Sequence, residues 1–206
     1  LTGAGLVGAN GNVTLTGGTL APGGDLVAGR DLRVDAQAFN NAAAARVFGD
    51  ATIRGGSVTN SGSLGSGGAI DVDVAGAVTN SGVLAANTDL TIAAATIANQ
   101  PNANILALGD ATLRAGSVTN TGGTIQAGHD LTIDAQTLTN QRGPITTVYS
   151  ATDARGSAGG LFGSRPTGDL WQSWTQTEST GPAQLLAGNN LLLTVGTGLN
   201  DASLYA

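Results

Sequence analysis

Short runs of this chain alternate between apolar and polar residues, and the runs recur with a regular spacing of about 20 residues. The clearest unit is Ala127–Gly143, AGHDLTIDAQTLTNQRG, in which a Gly/Asp turn precedes an alternating run, a second short run and an asparagine. Ala28–Asn41 and Leu84–Gln100 follow the same order. Alternation with β-branched residues and threonine predicts β-strands, and no stretch has the 3.6-residue period of a helix.

One asparagine closes the second run of each unit, and these asparagines set the period. They are Asn40, Asn60, Asn80, Asn99, Asn120 and Asn140, at steps of 20, 20, 19, 21 and 20. A third apolar run follows, marked by Leu64, Leu84, Ile105 and Ile125. A period of this length indicates a repeat architecture in which each unit stacks on the last.

The repeat predicts an all-β fold, a right-handed parallel β-helix with coils of about 20 residues. Successive units run in the same direction, so equivalent strands would pair in parallel and the rest of the unit would supply the long connection. Parallel crossovers are nearly always right-handed. Each coil would have three short strands around an interior too narrow for aromatic side chains. Its apolar column would include Val58 and Val78, with Ala38 in the equivalent position of the first clear unit.

The asparagine column has two interpretations. Asparagines in the same place of every coil can pass side-chain amide hydrogen bonds along the axis, as ladders do in stacked β-structures. The alternative is that each asparagine only occupies a left-handed turn, which this residue tolerates well. We favour the ladder, and we place Asn200 in it because Asn200 lies three whole periods after Asn140.

The repeat is interrupted once, in Arg142–Gly181, which holds both tryptophans, the only glutamate and three of the eight arginines. We therefore predict repeat coils at 1–141, an excursion at 142–181 and resumed coils at 182–206. Thr146–Tyr149 and Leu170–Thr177 could pair as an antiparallel hairpin with Arg155–Gly168 as its tip. The alternative is that the segment forms two irregular coils.

The excursion is also the predicted place of contact with a partner. Aromatic residues and arginine are enriched among residues that carry binding energy. The candidate partner-binding residues are Tyr149, Arg155, Phe162, Arg165, Trp171 and Trp174. The alternative is that the tryptophans only hold the excursion against the coils.

Composition narrows the possible functions. Hydrophobic residues make up 41% of the chain and the net charge is −6, which argues against disorder. No basic cluster is present, so we predict no nucleic-acid partner. No apolar run is long enough to span a bilayer, so we predict no stable membrane insertion. The lack of cysteine suits a chain that crosses an oxidising compartment unfolded.

Candidate chemistry is sparse. The single histidine, His129, occupies a Gly-x-Asp turn and is predicted to face solvent, without partners for a zinc site. Asp71 and Asp73 alternate with valines and would point outward from one strand. Paired acids of this kind could serve a polysaccharide-active enzyme, although glycoside cleavage needs a cleft and a suitable separation. We predict no catalytic residue, metal site or cofactor, and a protein that is not an enzyme.

These units, above all AGHDLTIDAQTLTNQRG, resemble the haemagglutinin repeats of filamentous haemagglutinin and of contact-dependent growth inhibition proteins. The resemblance covers nearly the whole chain except Arg142–Gly181. It implies an exoprotein of a Gram-negative two-partner secretion system, exported by an outer-membrane transporter and displayed at the cell surface or released. The chain has no Asn-Pro-Asn secretion motif, no amino-terminal transport domain and no toxin-like carboxyl terminus, as expected of an internal fragment.

The resulting expectation is a structural shaft segment of a large filamentous exoprotein, which presents adhesive or toxin modules. The alternative is an adhesive module that binds a host or neighbouring-cell receptor through the 142–181 excursion. A polysaccharide-active β-helix enzyme is the least favoured hypothesis.

Overall fold

The computed structural model describes residues 2–143, 145–152, 171–178, 181–200 and 203–205, and all regular structure in these ranges is β-strand. The strands are β1 (Thr2–Gly3), β2 (Val7–Ala9), β3 (Val13–Pro22), β4 (Leu26–Ala28), β5 (Leu32–Asn41), β6 (Ala44–Val47), β7 (Ala51–Asn60), β8 (Ser63–Ser66), β9 (Ile70–Val74), β10 (Ala77–Asn80), β11 (Val83–Ala86), β12 (Leu90–Asn99), β13 (Asn104–Ala107), β14 (Ala111–Thr121), β15 (Thr124–Ala127), β16 (Leu131–Gln141), β17 (Ile145–Thr152), β18 (Trp171–Glu178), β19 (Gln184–Ala187), β20 (Leu191–Asn200) and β21 (Ser203–Tyr205).

The repeat forms two parallel sheets between which the chain alternates. One sheet has the order β1-β3-β5-β7-β10-β12-β14-β16-β20, with β9 between β7 and β12, and the other has the order β2-β4-β6-β8-β11-β13-β15-β19-β21. Each strand pairs in parallel with the strand one repeat away, as Leu84 does with Leu64 and Ile105. The predicted parallel β-helix is confirmed. It makes about seven turns, which correspond to a rise of roughly 34 Å at the usual strand spacing.

The prediction of three separate strands per coil is wrong for most coils. The first and second apolar runs form one continuous strand of 10 or 11 residues, and they separate only as β9 and β10. The strand turns a corner near its middle, where pairing skips one residue: Ala94 pairs with Ala115 and Thr96 with Ser117. Because every coil bends at the equivalent position, the strands lose little of their pairing at the corner. Gly55 lies at this corner with φ of 139°, and a Cβ there would clash with the carbonyl oxygen of Ala36.

At the corner, the alternation of inward and outward side chains shifts by one residue. The assignment predicted for the first clear unit is therefore wrong after the corner. Phe39 pairs with Val58 and Asn41 pairs with Asn60, so Ala38 and Asn40 do not hold the core and ladder positions predicted for them. Phe39 is only 1% exposed and is the largest fully buried side chain of the described residues, so the interior is not too narrow for an aromatic ring. The same coil has Ala45 where the coils on either side have Leu26 and Leu64, so its short strand puts less side-chain volume into the interior.

Pro144–Ser179 forms a separate compact unit from Leu1–Gly143 and Thr180–Ala206, with bounds slightly inside the predicted 142 and 181. Within it, β17 pairs antiparallel with β18, from Ile145 opposite Glu178 to Thr152 opposite Trp171. The hairpin pairing predicted from the sequence is confirmed. Its predicted tip, Arg155–Gly168, lies outside the described residues.

The coil resumes after this unit without loss of register. Ile125 of β15 pairs with Leu185 of β19, and Leu131 of β16 pairs with Leu191 of β20, three periods later in the sequence. The short strand that completes the coil of β16 is therefore β19, which follows the inserted unit in the sequence. The apolar interior continues through this level, since Leu185 is fully buried.

Candidate functional site

The ladder asparagines lie at the end of the long strands and bond to one another along the axis. Each Nδ2 donates to the Oδ1 of the next asparagine: Asn41 to Asn60 (2.7 Å), Asn60 to Asn80 (2.8 Å), Asn80 to Asn99 (2.9 Å), Asn99 to Asn120 (2.9 Å), Asn120 to Asn140 (2.9 Å) and Asn140 to Asn200 (2.7 Å). The six from Asn41 to Asn140 are at most 2% exposed. Among the described residues, Asn102 is the only non-glycine residue with positive φ, so these six are not left-handed turn residues.

The same amides also join the two sheets. The Nδ2 of Asn60 donates to the carbonyl of Val83 (2.9 Å), that of Asn80 to Asn104 (2.9 Å) and that of Asn120 to Gln184 (3.1 Å). Both amide hydrogens are thereby used, one along the axis and one across the corner between the long and short strands. Buried polar groups satisfied in this way rigidify the structure that holds them.

A second ladder runs along the Gly-x-Asp turns, and sequence reasoning missed it. The Oδ1 of one turn residue accepts the backbone N–H of its equivalent in the next coil: Asn12 from Asp31 (3.2 Å), Asp31 from Asp50 (3.0 Å), Asp50 from Ala69 (2.8 Å), Asp89 from Asp110 (2.9 Å), Asp110 from Asp130 (3.1 Å) and Asp130 from Asn190 (3.1 Å). The signal that could have found it is the regular spacing of the turn aspartates, which on their own look like local turn formers.

The acidic pair on β9 lies on the outer surface, as predicted, and is tied to one arginine of the preceding coil. Arg54 donates from Nη2 to Asp71 (2.8 Å) and from Nη1 to Asp73 (3.0 Å). The three side chains are between 42% and 61% exposed, so the pairs contribute at most about 1 kcal/mol. Both carboxylates therefore accept from one guanidinium on an exposed strand surface.

The corner that follows the ladder asparagine is the most variable part of the repeat. At the level of β13, β15 and β19 it forms a shallow open pocket of about 280 Å³, whose polar side chains are Asn102, Asn104, Thr124 and Gln184. The chain is interrupted at this same corner, between Gly143 and Gly181. The pocket lining also includes Ala103 and Pro182 and has no charged side chain.

The predicted partner-binding residues fall in the inserted unit. In the β17–β18 register Tyr149 lies opposite Trp174, and Trp171 lies opposite Thr152. Arg155, Phe162 and Arg165 lie outside the described residues. The role of all six in binding stays a prediction. His129 is exposed in its turn, as expected.

The described residues contain neither a cluster of metal-binding side chains nor a membrane-spanning helix. In that part of the chain, no group of three or more His, Cys, Asp or Glu is placed to hold a metal ion. Nor does that part contain a helix long and apolar enough to cross a membrane.

Sequence comparison decides the family. The model of the haemagglutinin repeat matches residues 1–47, 40–100, 90–157 and 149–204, which together cover almost the whole chain. The chain belongs to the haemagglutinin-repeat family. The last two matches also run through the interruption, so the family likeness extends into Arg142–Gly181, contrary to the expectation from the repeat pattern. Neither curated proteins nor solved structures gave a match.

Membership of the haemagglutinin-repeat family gives these geometric features a context. Haemagglutinin-repeat proteins are generally secreted or surface-associated, and their β-solenoids are typically structural or adhesive rather than enzymatic. The two ladders of this haemagglutinin-repeat solenoid run along its axis and hold one coil to the next. The arrangement suggests the shaft of a filamentous adhesin-like protein.

Proposed function

We propose that this segment is a structural shaft of a large filamentous exoprotein and holds adhesive or toxin modules away from the cell that displays it. The observation that carries the proposal is the continuous asparagine ladder from Asn41 to Asn200, buried for most of its length. Its hydrogen bonds join neighbouring coils, so the asparagine side chains stabilise the scaffold itself. Such a column suits a stiff spacer, whose function depends on length and continuity.

The way force would pass through the segment supports the same role. In a stacked repeat each coil contacts only its neighbours, so the joint between coils determines how the whole resists tension. Here the backbone bonds of two parallel sheets are reinforced by the asparagine ladder at one corner and the turn ladder at another. Hydrogen bonds in such chains strengthen one another.

The proposed cellular setting is the surface of a Gram-negative bacterium, reached through a two-partner outer-membrane transporter. The chain has no cysteine, so no stray disulfide can form during passage through an oxidising periplasm. Each emerging coil could then fold on the edge of the previous one, because the contacts of a coil are with its neighbours alone.

Removal of one coil in register tests the shaft. Deletion of Leu90–Asp110 from the full exoprotein joins Asp89 to Ala111, and these two positions follow one another in the repeat. We expect secretion and cell-surface display to persist with a filament shorter by about 5 Å. Loss of target-cell binding or toxin delivery by a folded, displayed deletion protein would contradict a purely spatial role.

A second candidate is an adhesive module that binds a host or neighbouring-cell receptor through the inserted unit. It is favoured by the single interruption of the coil, which holds both tryptophans, and by the unbroken register on either side. Deletion of Pro144–Ser179, with Gly143 joined to Thr180, separates the candidates. The adhesive candidate requires loss of cell binding, whereas the shaft predicts unchanged binding, and the Leu90–Asp110 deletion controls for a change in length.

A further inference from the structure

The asparagine ladder ends at Asn41 although the solenoid continues below it, and the unfilled ladder place beside Asn41 is a gap inside the solenoid. Asn41 is 2% exposed, and its Oδ1 is the one buried side-chain oxygen or nitrogen of the described residues that has no hydrogen-bond partner. In every coil above, this oxygen accepts from the asparagine one coil earlier. The coil before Asn41 has Pro22 at the equivalent place, two residues after the pair Leu20–Phe39. Proline has neither a side-chain amide nor a backbone N–H to offer.

Backbone pairing is also shortened at this level. From β5 upward, the long strands pair through the asparagine itself, as Asn41 does with Asn60. Between β3 and β5 the pairing ends at Leu20 and Phe39. In the other sheet, β4 pairs with β6 over Leu26–Ala28, one residue less than β6 pairs with β8.

The corner that follows Asn41 repeats the defect. One coil higher, the N–H groups of Ser61 and Gly62 donate to the carbonyl of Asn41, and Ser81 donates to Asn60. Ala42 and Ala43 make no equivalent backbone bond to the coil below in the described structure. Among the described residues, the corner is joined to that coil at Ala44, whose N–H donates to the side chain of Asp25 over 3.3 Å.

Strand pairing from Val13 opposite Leu32 to Leu20 opposite Phe39 is kept across this level, and so are short backbone bonds at the turn, but the side-chain links are weak. Arg46 and Asp25 form an ion pair at 3.4 Å, but their side chains are 64% and 50% exposed, where such pairs contribute little. The N–H of Asp31 donates to Asn12 at 3.2 Å, the longest of the turn-ladder bonds. Ala45 also presents less apolar surface to its neighbours than the leucines of the adjacent coils.

We propose that this level, between Val13–Arg30 and Leu32–Phe48, is where the solenoid opens. The coil of Val13–Arg30 detaches as one unit, together with the residues before it, while the coils from Leu32 upward stay folded. Opening exposes the edge of β5 and the free acceptor of Asn41. Both coils that flank the gap are present in the structure, so the opening is a property of this joint. The proposal is independent of the shaft role, because a shaft without a weak level and a weak level without a shaft role are each possible.

Native-state hydrogen exchange of the whole chain, followed by mass spectrometry of peptides, tests the proposal. We expect the slow amides of Val13–Arg30 to exchange with one common protection factor and a step to higher protection at Leu32. A smooth rise in protection from the first coil inward, without a step at Leu32, would overturn the proposal. This test needs no substitution.

Pro22→Asn tests the cause of the step, since it supplies the missing side-chain amide and a backbone N–H. The ratio of protection between Leu32–Asn41 and Val13–Arg30 should fall by about threefold to tenfold, as one net hydrogen bond would give. Pro182→Asn replaces an exposed proline far from the gap and should leave that ratio unchanged. If Pro22→Asn does not fold, Pro22→Ser supplies an N–H and a hydroxyl donor at the same place. A folded variant with an unchanged ratio, or an equal effect of Pro182→Asn, would refute the ladder gap as the cause.

Discussion

Asn80→Ala removes one member from the middle of the asparagine ladder. Asn80 has no exposed surface and sits between Asn60 and Asn99. Its Nδ2 donates to Asn99 Oδ1 at 2.9 Å, to the carbonyl of Asn104 at 2.9 Å and to that of Gly82 at 3.2 Å. Alanine supplies none of these donors, and the cavity left behind is too enclosed for the surrounding backbone to reach water easily.

The cost follows from which groups lose their partners. Asn99 Oδ1 becomes a buried acceptor without a donor, which costs about 1–3 kcal/mol. The loss of the bonds to the corner carbonyls adds about 1 kcal/mol. Asn60 suffers less, because its Nδ2 keeps the carbonyl of Val83 at 2.9 Å. We therefore expect Asn80→Ala to lower the free energy of unfolding by about 2–4 kcal/mol.

Urea denaturation followed by far-ultraviolet circular dichroism measures the change, with the slope m compared between variants to check that the same surface unfolds. Asn10→Ala and Asn87→Ala are the controls, since both asparagines are exposed turn residues outside the ladder. Their unfolding free energies should change by no more than about 0.5 kcal/mol. Equal losses for Asn80→Ala and either control would refute the view that the ladder bonds stabilise the stack.

Three further predictions concern the corner of the long strands, the core and the turn ladder. Gly55→Ala should cost at least about 1 kcal/mol because of its positive φ and the carbonyl of Ala36, whereas Gly65→Ala, where a Cβ meets nothing within 4 Å, should be nearly neutral in the same melt. Phe39→Ala should cost about 3–5 kcal/mol and Ala45→Leu about 1–3 kcal/mol. The double variant Phe39→Val with Ala45→Leu should lose less stability than the sum of the losses of Phe39→Val alone and Ala45→Leu alone. Additive losses in this double-mutant cycle would show that the ring and Ala45 do not share one space. Asp110→Ala should cost about 0.5–1 kcal/mol through the lost acceptor, while Asp110→Asn keeps it; equal losses in urea melts would argue against the turn ladder.

The sequence predicts the fold because its signal is periodic. Alternation, turn residues and a repeat of about 20 residues leave parallel stacking as the arrangement that buries every unit in the same way. The same local sequence patterns also predict three details. These are the outward position of Asp71 and Asp73, the exposed turn of His129 and the antiparallel pairing of β17 with β18.

The errors arise at the corner, where the period-two rule stops. In β5 the inward residues are Val34 and Ala36 before the corner and Phe39 and Asn41 after it, a phase that alternation alone assigns to Ala38 and Asn40. Two adjacent asparagines fit the spacing of the repeat equally well. The stacked coils decide between them, because Phe39 pairs with Val58 and Asn41 with Asn60, which have the same inward phase.

The turn ladder escaped prediction for a different reason. A Gly-x-Asp turn has its own N–H groups within reach of the carboxylate, so a local bond is the natural expectation. In the structure, the carboxylate of Asp110 instead accepts a hydrogen bond from the N–H of Asp130, one coil away. The spacing of the aspartates contained this information, but only the stacked coils identify the donor.

The ladder also explains why the repeat can be interrupted where it is. Each asparagine fixes the end of its long strand with the axial bond and the start of a short strand with the second hydrogen, as Asn120 does with Asn140 and Gln184. The residues between those two points therefore need no fixed length. The corner spans Ser61–Gly62 in one coil and Gln100–Ala103 in another, and in the next-to-last coil the whole inserted unit lies between Gly143 and Ala183 without a change of register. Loop closure grows only slowly in cost with length, so an inserted unit is tolerated at this corner. Within a long strand the same insertion would break both sheet pairing and the inward phase.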